Sequence, residues 1–181
     1  MRSPQNTATT PARSGFVRGR LVGAAAIALA ASMAIQNAMF AVTGPPAYGD
    51  PIEEVLAWHA QNRVAVAVAV GLEALHLPLL LGFVTGLHGL VGRRGGAGAD
   101  WSRLAVAAGA TLSAVFALYA VLWIGVVLSA GELAEPSPAF ELAWHMHAAA
   151  FALSLPALGT TLVGVALATH ARRLTPRWRS A

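Results

Sequence analysis

Four long apolar runs separated by short polar segments organise this chain, at residues 21–42, 64–91, 104–128 and 140–168. Each is long enough for a helix to cross a bilayer core of ~30 Å, which takes about 20 mostly apolar residues. The Val-Ala alternation at 64–70 has the period of a strand, but the surrounding run far exceeds strand length, so a helix is expected. Only helices and closed barrels satisfy every backbone group in lipid, and runs this long exclude the barrel. The pattern therefore predicts an all-α protein, a four-transmembrane-helix, up-and-down bundle. It divides the chain into a disordered cytoplasmic tail at 1–17, a membrane domain at 18–173 and a basic cytoplasmic tail at 174–181.

The connections carry punctuation. Gly44-Pro45-Pro46 ends the first span; Asp50 before Pro51, Asp100, and Ser137 before Pro138 are expected to cap the following helices. Trp58, Trp101, Trp123, Trp144 and Trp178 all fall near predicted span ends, where amphipathic rings favour the interface. Arg18 and Arg20 before the first run, with Ser32-Met33-Ala34 inside it, resemble a signal peptide. The apolar run continues to Val42, however, so an uncleaved span is expected.

Two stretches recur in order. Leu56-Ala57-Trp58-His59 matches Leu142-Ala143-Trp144-His145, and Ala74-Leu75-His76-Leu77-Pro78 matches Ala152-Leu153-Ser154-Leu155-Pro156. The distance from Trp to Pro is 20 residues in one copy and 12 in the other. A tandem repeat of two helical hairpins would then need about two inserted helical turns. The alternative is independent choice of Trp and His at two interfaces. Gly82-x-x-x-Gly86 and Gly109-x-x-x-Ser113 predict close helix approach, within the bundle or across a homodimer.

Composition sharpens this picture. Charged residues make up 11% of the 181 residues against 56% hydrophobic, too few charges for an ordinary water-soluble domain. Cysteine is absent, which excludes disulfides and thiol chemistry. All 12 basic residues are Arg, and only Arg63 lies elsewhere than before the first run, in the 92–103 connection or after the last run. Arginine so sorted predicts a plasma-membrane protein with both termini cytoplasmic. The cluster Arg172, Arg173, Arg177 and Arg179 is expected to meet anionic lipid headgroups. No basic stripe interleaved with aromatics points to nucleic acid.

Ionisable residues inside spans are costly, so each is a functional candidate. Glu73 and His76 share a helix face near mid-membrane, and Pro78 leaves the Ala74 carbonyl without its helical donor. Together they suggest a proton, cation or ligand site, with Gln36, Asn37, Tyr119 and His145 expected to line the same outward-facing pocket. The bland reading is a protonated Glu73 bonded to His76 or to a neighbouring span. Glu141 and His145 share a face, whereas His147 lies on another. His76, His145, His147 and Glu141 are the candidate ligands for haem or a transition metal. A di-metal bundle site would need further carboxylates that spans one and three lack.

With these spans, Arg-only basic usage and the Trp-His pairs Trp58-His59 and Trp144-His145, the chain resembles four-helix integral membrane proteins of high-GC actinobacteria over most of residues 18–173. The resemblance implies the bundle and no particular activity. Three functions are expected in order: a non-enzymatic protein binding a partner or small ligand in the polar pocket, a haem- or metal-binding redox protein, and a proton-coupled permease with Glu73 as carrier.

Overall fold

The computed structural model describes residues 11–92 and 95–171, with side chains from Gly19 onward. Arg93, Arg94, the 174–181 tail and the Arg172–Arg179 lipid contacts lie outside the described residues, as do the first ten residues of the expected 1–17 tail. The described residues form five helices: α1 Pro11–Thr43, α2 Ile52–Gln61, α3 Arg63–Val91, α4 Ala97–Ala130 and α5 Pro138–Ala171. Four of them are long and apolar enough to cross a membrane, Gly19–Thr43 of α1 together with α3, α4 and α5. The fold class read from the runs is the one observed.

Boundaries moved where the local chemistry allowed helix to continue or forced it to stop. α1 is helical from Pro11, the first described residue, so residues 11–17, assigned above to the tail, are helical. α2 is a separate short helix, divided from α3 at Asn62. Asp50 does not cap it; its Oδ2 instead accepts from Ala47 N at 2.7 Å and closes the 47–50 turn. Asp100 lies in the first turn of α4, paired with Arg103 at 2.7 Å, and the helix starts three residues earlier at Ala97. Ser137 behaves as expected, its Oγ accepting from Phe140 N at 3.2 Å at the start of α5.

The connections at 44–62 and 131–137 share one end of the bundle, here the capped end; Gly92, Gly95 and Gly96 mark the opposite, terminal end. The spans pack in the order α1, α3, α4, α5, with α4 and α5 in the most extensive contact. α1 packs against α3 and has little contact with α4 or α5, which leaves a gap between the first and last spans. Large apolar side chains such as Leu21, Ile27, Val64, Val121 and Leu153 cover the outside. Such a surface is stable against lipid tails and unfavourable in water.

Small residues draw the spans together toward the terminal end. Gly86 admits Val22 of α1, and a Cβ at Gly109 would stand 3.2 Å from Val84. A Cβ at Gly164 would lie 2.9 Å from the backbone of Ala105. Of the two small-residue motifs, Gly86 and Gly109 make these approaches, whereas Gly82 faces open space. Gly164 belongs to neither motif. His88 adds a polar tie at the same end, its Nδ1 donating to Ser102 Oγ at 2.8 Å while that hydroxyl donates to Ala99 O.

Candidate functional site

The capped end is built from rings rather than glycines. Gly44, at φ +56, turns the chain out of α1, and its N–H closes the helix on Phe40 O at 2.9 Å. The 47–50 turn then carries Tyr48 across the gap to α5. Its ring centroid lies 5.0 Å from Trp144 and 5.7 Å from both His147 and Phe151. A loop residue thus bridges α1 and α5 where the helices themselves do not meet. Trp58 of α2 anchors the other side, its Nε1 donating to Thr43 O at the end of α1 at 2.9 Å.

Between these elements lies a cavity of about 260 Å³. Its walls are Phe40, Tyr48, Trp58, Tyr119, Trp123 and Trp144, with His59 and His147 among them and Pro45, Pro46 and Ala47 at the loop side. His147 is the hub. It stacks on Tyr119 at 4.0 Å and lies 5.3 Å from Trp144 and 5.4 Å from Trp123.

Hydrogen bonds define the protonation of both histidines. His147 Nδ1 donates to Tyr119 O at 3.1 Å, and its Nε2 accepts from the Tyr48 hydroxyl at 3.3 Å. His59 Nδ1 donates to Val55 O at 2.7 Å, and its Nε2 accepts from Trp123 Nε1 at 3.1 Å. Each ring has one donor and one acceptor nitrogen, the neutral imidazole. Burial pushes His59 below its ordinary pKa, against the opposing pull of the Val55 carbonyl. Burial likewise raises the Tyr48 phenol, the Tyr119 hydroxyl opposing and the Glu73 carboxylate adding to the rise. Trp144 Nε1 is the wall donor left without a partner.

Beneath the rings lies Glu73. Gln36 Nε2 donates to its Oε1 at 2.9 Å and also reaches Ala69 O at 3.3 Å. Oε2 is buried and unbonded, while the Tyr119 hydroxyl interacts with both the Glu73 carboxyl and Tyr48. Gln36, Glu73, Tyr119, Tyr48 and His147 therefore form a polar series from the middle of the bundle to the cavity.

His76 stands apart from that series. It lines a smaller, apolar pocket of about 70 Å³ with Met33, Leu77, Leu112, Phe116 and Leu158, and its buried Nε2 has no partner. It shares a face with Glu73 as expected, but the partner of Glu73 is Gln36.

Two residues expected in the pocket are turned away. Asn37 is exposed and bonds back to Met33 O at 2.8 Å, because its neighbour Gln36 takes the inward position. His145 is exposed and His147 buried, since residues two apart on a helix face opposite ways. Glu141 is also exposed, so the proposed metal set His76, His145, His147 and Glu141 is not brought together. Among the described residues no three His, Asp or Glu side chains gather as a metal site requires. The engaged nitrogens of His147 and His59 leave no lone pair for a haem iron.

The matching Trp-His pairs also differ in setting. His59 is buried against Trp144 at 5.5 Å, ring edge to face, whereas His145 faces outward. The cavity roles of Tyr48, His59 and Trp144 were not anticipated. The only signal in the chain was the recurrence of Trp58-His59 and Trp144 at two span ends. No family model, curated protein or solved structure matches the chain.

Proposed function

We propose that this is a plasma-membrane protein with both termini in the cytoplasm, and that it binds a small ligand in the aromatic cavity, which then opens outward, without chemically altering it. The observation that carries the reading is the cavity itself. Aromatic walls with few polar groups are the usual composition of a ligand site, and about 260 Å³ suits a compact ligand rather than a drug-sized one, which takes roughly 300–1,000 Å³. The orientation rests on eleven of the twelve arginines lying before the first run, in the 92–103 connection or after the last run.

Both parts are testable. Trp58, Trp123 and Trp144 line the cavity, so an occupying ligand perturbs tryptophan emission and raises Tm. A chemically diverse panel that moves neither signal sinks the binding reading. Because the chain has no cysteine, single Glu135→Cys and Asp100→Cys variants report orientation cleanly. An impermeant maleimide applied to intact cells is expected to label the first and spare the second; the reverse pattern inverts the topology.

A second reading, proton-coupled transport, is favoured by the series from Glu73 through Tyr119 to Tyr48 and by the unbonded Glu73 Oε2. Substrate-driven proton movement in proteoliposomes, lost in Glu73→Gln while ligand binding persists, is its expected signature.

A further inference from the structure

We infer that the ligand of the aromatic cavity is a small quaternary alkylammonium cation. The inference rests on the cavity being a binding site and adds the class of ligand.

The walls are built of electron-rich rings. A desolvated cation over the face of such a ring is attracted by its quadrupole. The polar atoms of the walls point to the same class by elimination. Tyr48 O–H is committed to His147, Trp123 Nε1 to His59, Trp58 Nε1 to Thr43, and both imidazole N–H groups to backbone carbonyls. An anion would find no cationic side chain in the walls, and Trp144 Nε1, a donor without a partner, is itself buried. A sugar-like ligand, rich in donors and acceptors, would leave most of its own polar groups unpaired. A rounded quaternary cation has no N–H to leave unpaired in such walls.

The charges around the cavity favour the same sign. Asp50, Glu53, Glu54, Glu132, Glu135 and Glu141 lie at the capped end, and Glu53, Glu135 and Glu141 line a separate open cleft there. Arg63, the one arginine among the described residues at this end, opens α3 and has its guanidinium against Gly131 at the end of α4. Helix C-termini carry partial negative charge, so this position holds the cation in place. The field at this end therefore raises the local concentration of cations.

Choline and its neutral isostere 3,3-dimethyl-1-butanol share shape and hydroxyl and differ in charge. Titrated into the full chain in nanodiscs, choline is expected to bind about tenfold or more tightly than the isostere, by calorimetry and by tryptophan emission. Tyr48→Leu is expected to weaken choline about fivefold and to change the isostere less than twofold. Tyr48→Phe keeps the ring and is expected to keep choline within twofold, which separates loss of the ring face from damage to the loop. Equal binding of the two probes overturns the cation assignment and leaves the cavity as a ligand site. Binding of neither probe at millimolar concentration overturns the cation assignment; the broader panel described above then decides whether the cavity binds at all. Loss of choline binding in Tyr48→Phe also overturns the ring-face account.

Discussion

The two ends of this bundle solve the same packing problem with opposite side chains. Toward the terminal end, Gly86, Gly109 and Gly164 let the spans approach until side chain or backbone fills the space of a missing Cβ. At the capped end, Tyr119, Trp123 and Trp144 keep α4 and α5 lined with rings, and a loop residue, Tyr48, bridges the gap to α1. Lipid tails are as apolar as the core, so helix association in a membrane depends on close fit and hydrogen bonds. The glycine end has that fit. The ring end relies on a hydrogen-bonded network of rings, and a cavity lies between them. One end thus clamps the bundle while the other holds the site open.

The comparison can be broken most forcefully at Gly164. Gly164→Val pushes a side chain into the Ala105 backbone, which cannot yield as a flexible side chain would, and is expected to destabilise by about 3 kcal/mol. Reversible unfolding in mixed detergent–SDS micelles measures it. Gly82→Val, facing open space, is the matched control and is expected to stay within about 0.5 kcal/mol. Similar losses for both would mean that glycine contacts do not clamp this end.

Next comes the floor of the cavity. Gln36→Leu removes the donor to Glu73 Oε1 and is expected to cost about 1–2 kcal/mol. Adding Glu73→Leu is expected to recover most of it, since removing both partners leaves no orphaned group. A double variant as unstable as the sum of the singles would deny the pair its structural role. Trp123→Phe keeps a ring but loses the bond to His59 Nε2, with an expected cost of about 1 kcal/mol and an altered ligand response.

The smallest effect is a pH dependence confined to the capped end. Burial lowers the pKa of His59 from its ordinary 6.5, so the unfolded chain binds that proton first as pH falls. The contribution is complete above about pH 6.5 and is lost as pH drops from there through the folded value. Tm measured between pH 7.5 and 5 is expected to fall on the acid side, with a shallower slope in His59→Gln. An unchanged slope would assign the acid sensitivity elsewhere.

Much of this was legible along the chain, for identifiable reasons. Apolar length predicted the spans, Gly44-Pro45-Pro46 the end of α1, Ser137 the cap of α5, and scarcity of charge singled out Glu73. Facing was not legible. Gln36 and Asn37 differ by one position and His145 and His147 by two, yet in each pair only one side chain is buried. In a water-soluble helix the polar side would have marked the outside. Here lipid-facing Leu142, Met146 and Leu153 are as apolar as the core, so the helical phase of α5 carries little information.

What the sequence determined by itself is therefore whatever depends on length and total charge: four helices long and apolar enough to cross a membrane, their turns, and a carboxyl inside one of them. What tertiary structure decided is which face of each span turns inward. That choice depends on where glycines let neighbouring helices touch and where loop residue Tyr48 reaches α5. It put His147 in the cavity and His145 outside, and paired Glu73 with Gln36 across two spans. Contacts between distant segments carry that information, and no local pattern encodes it when core and lipid are equally apolar.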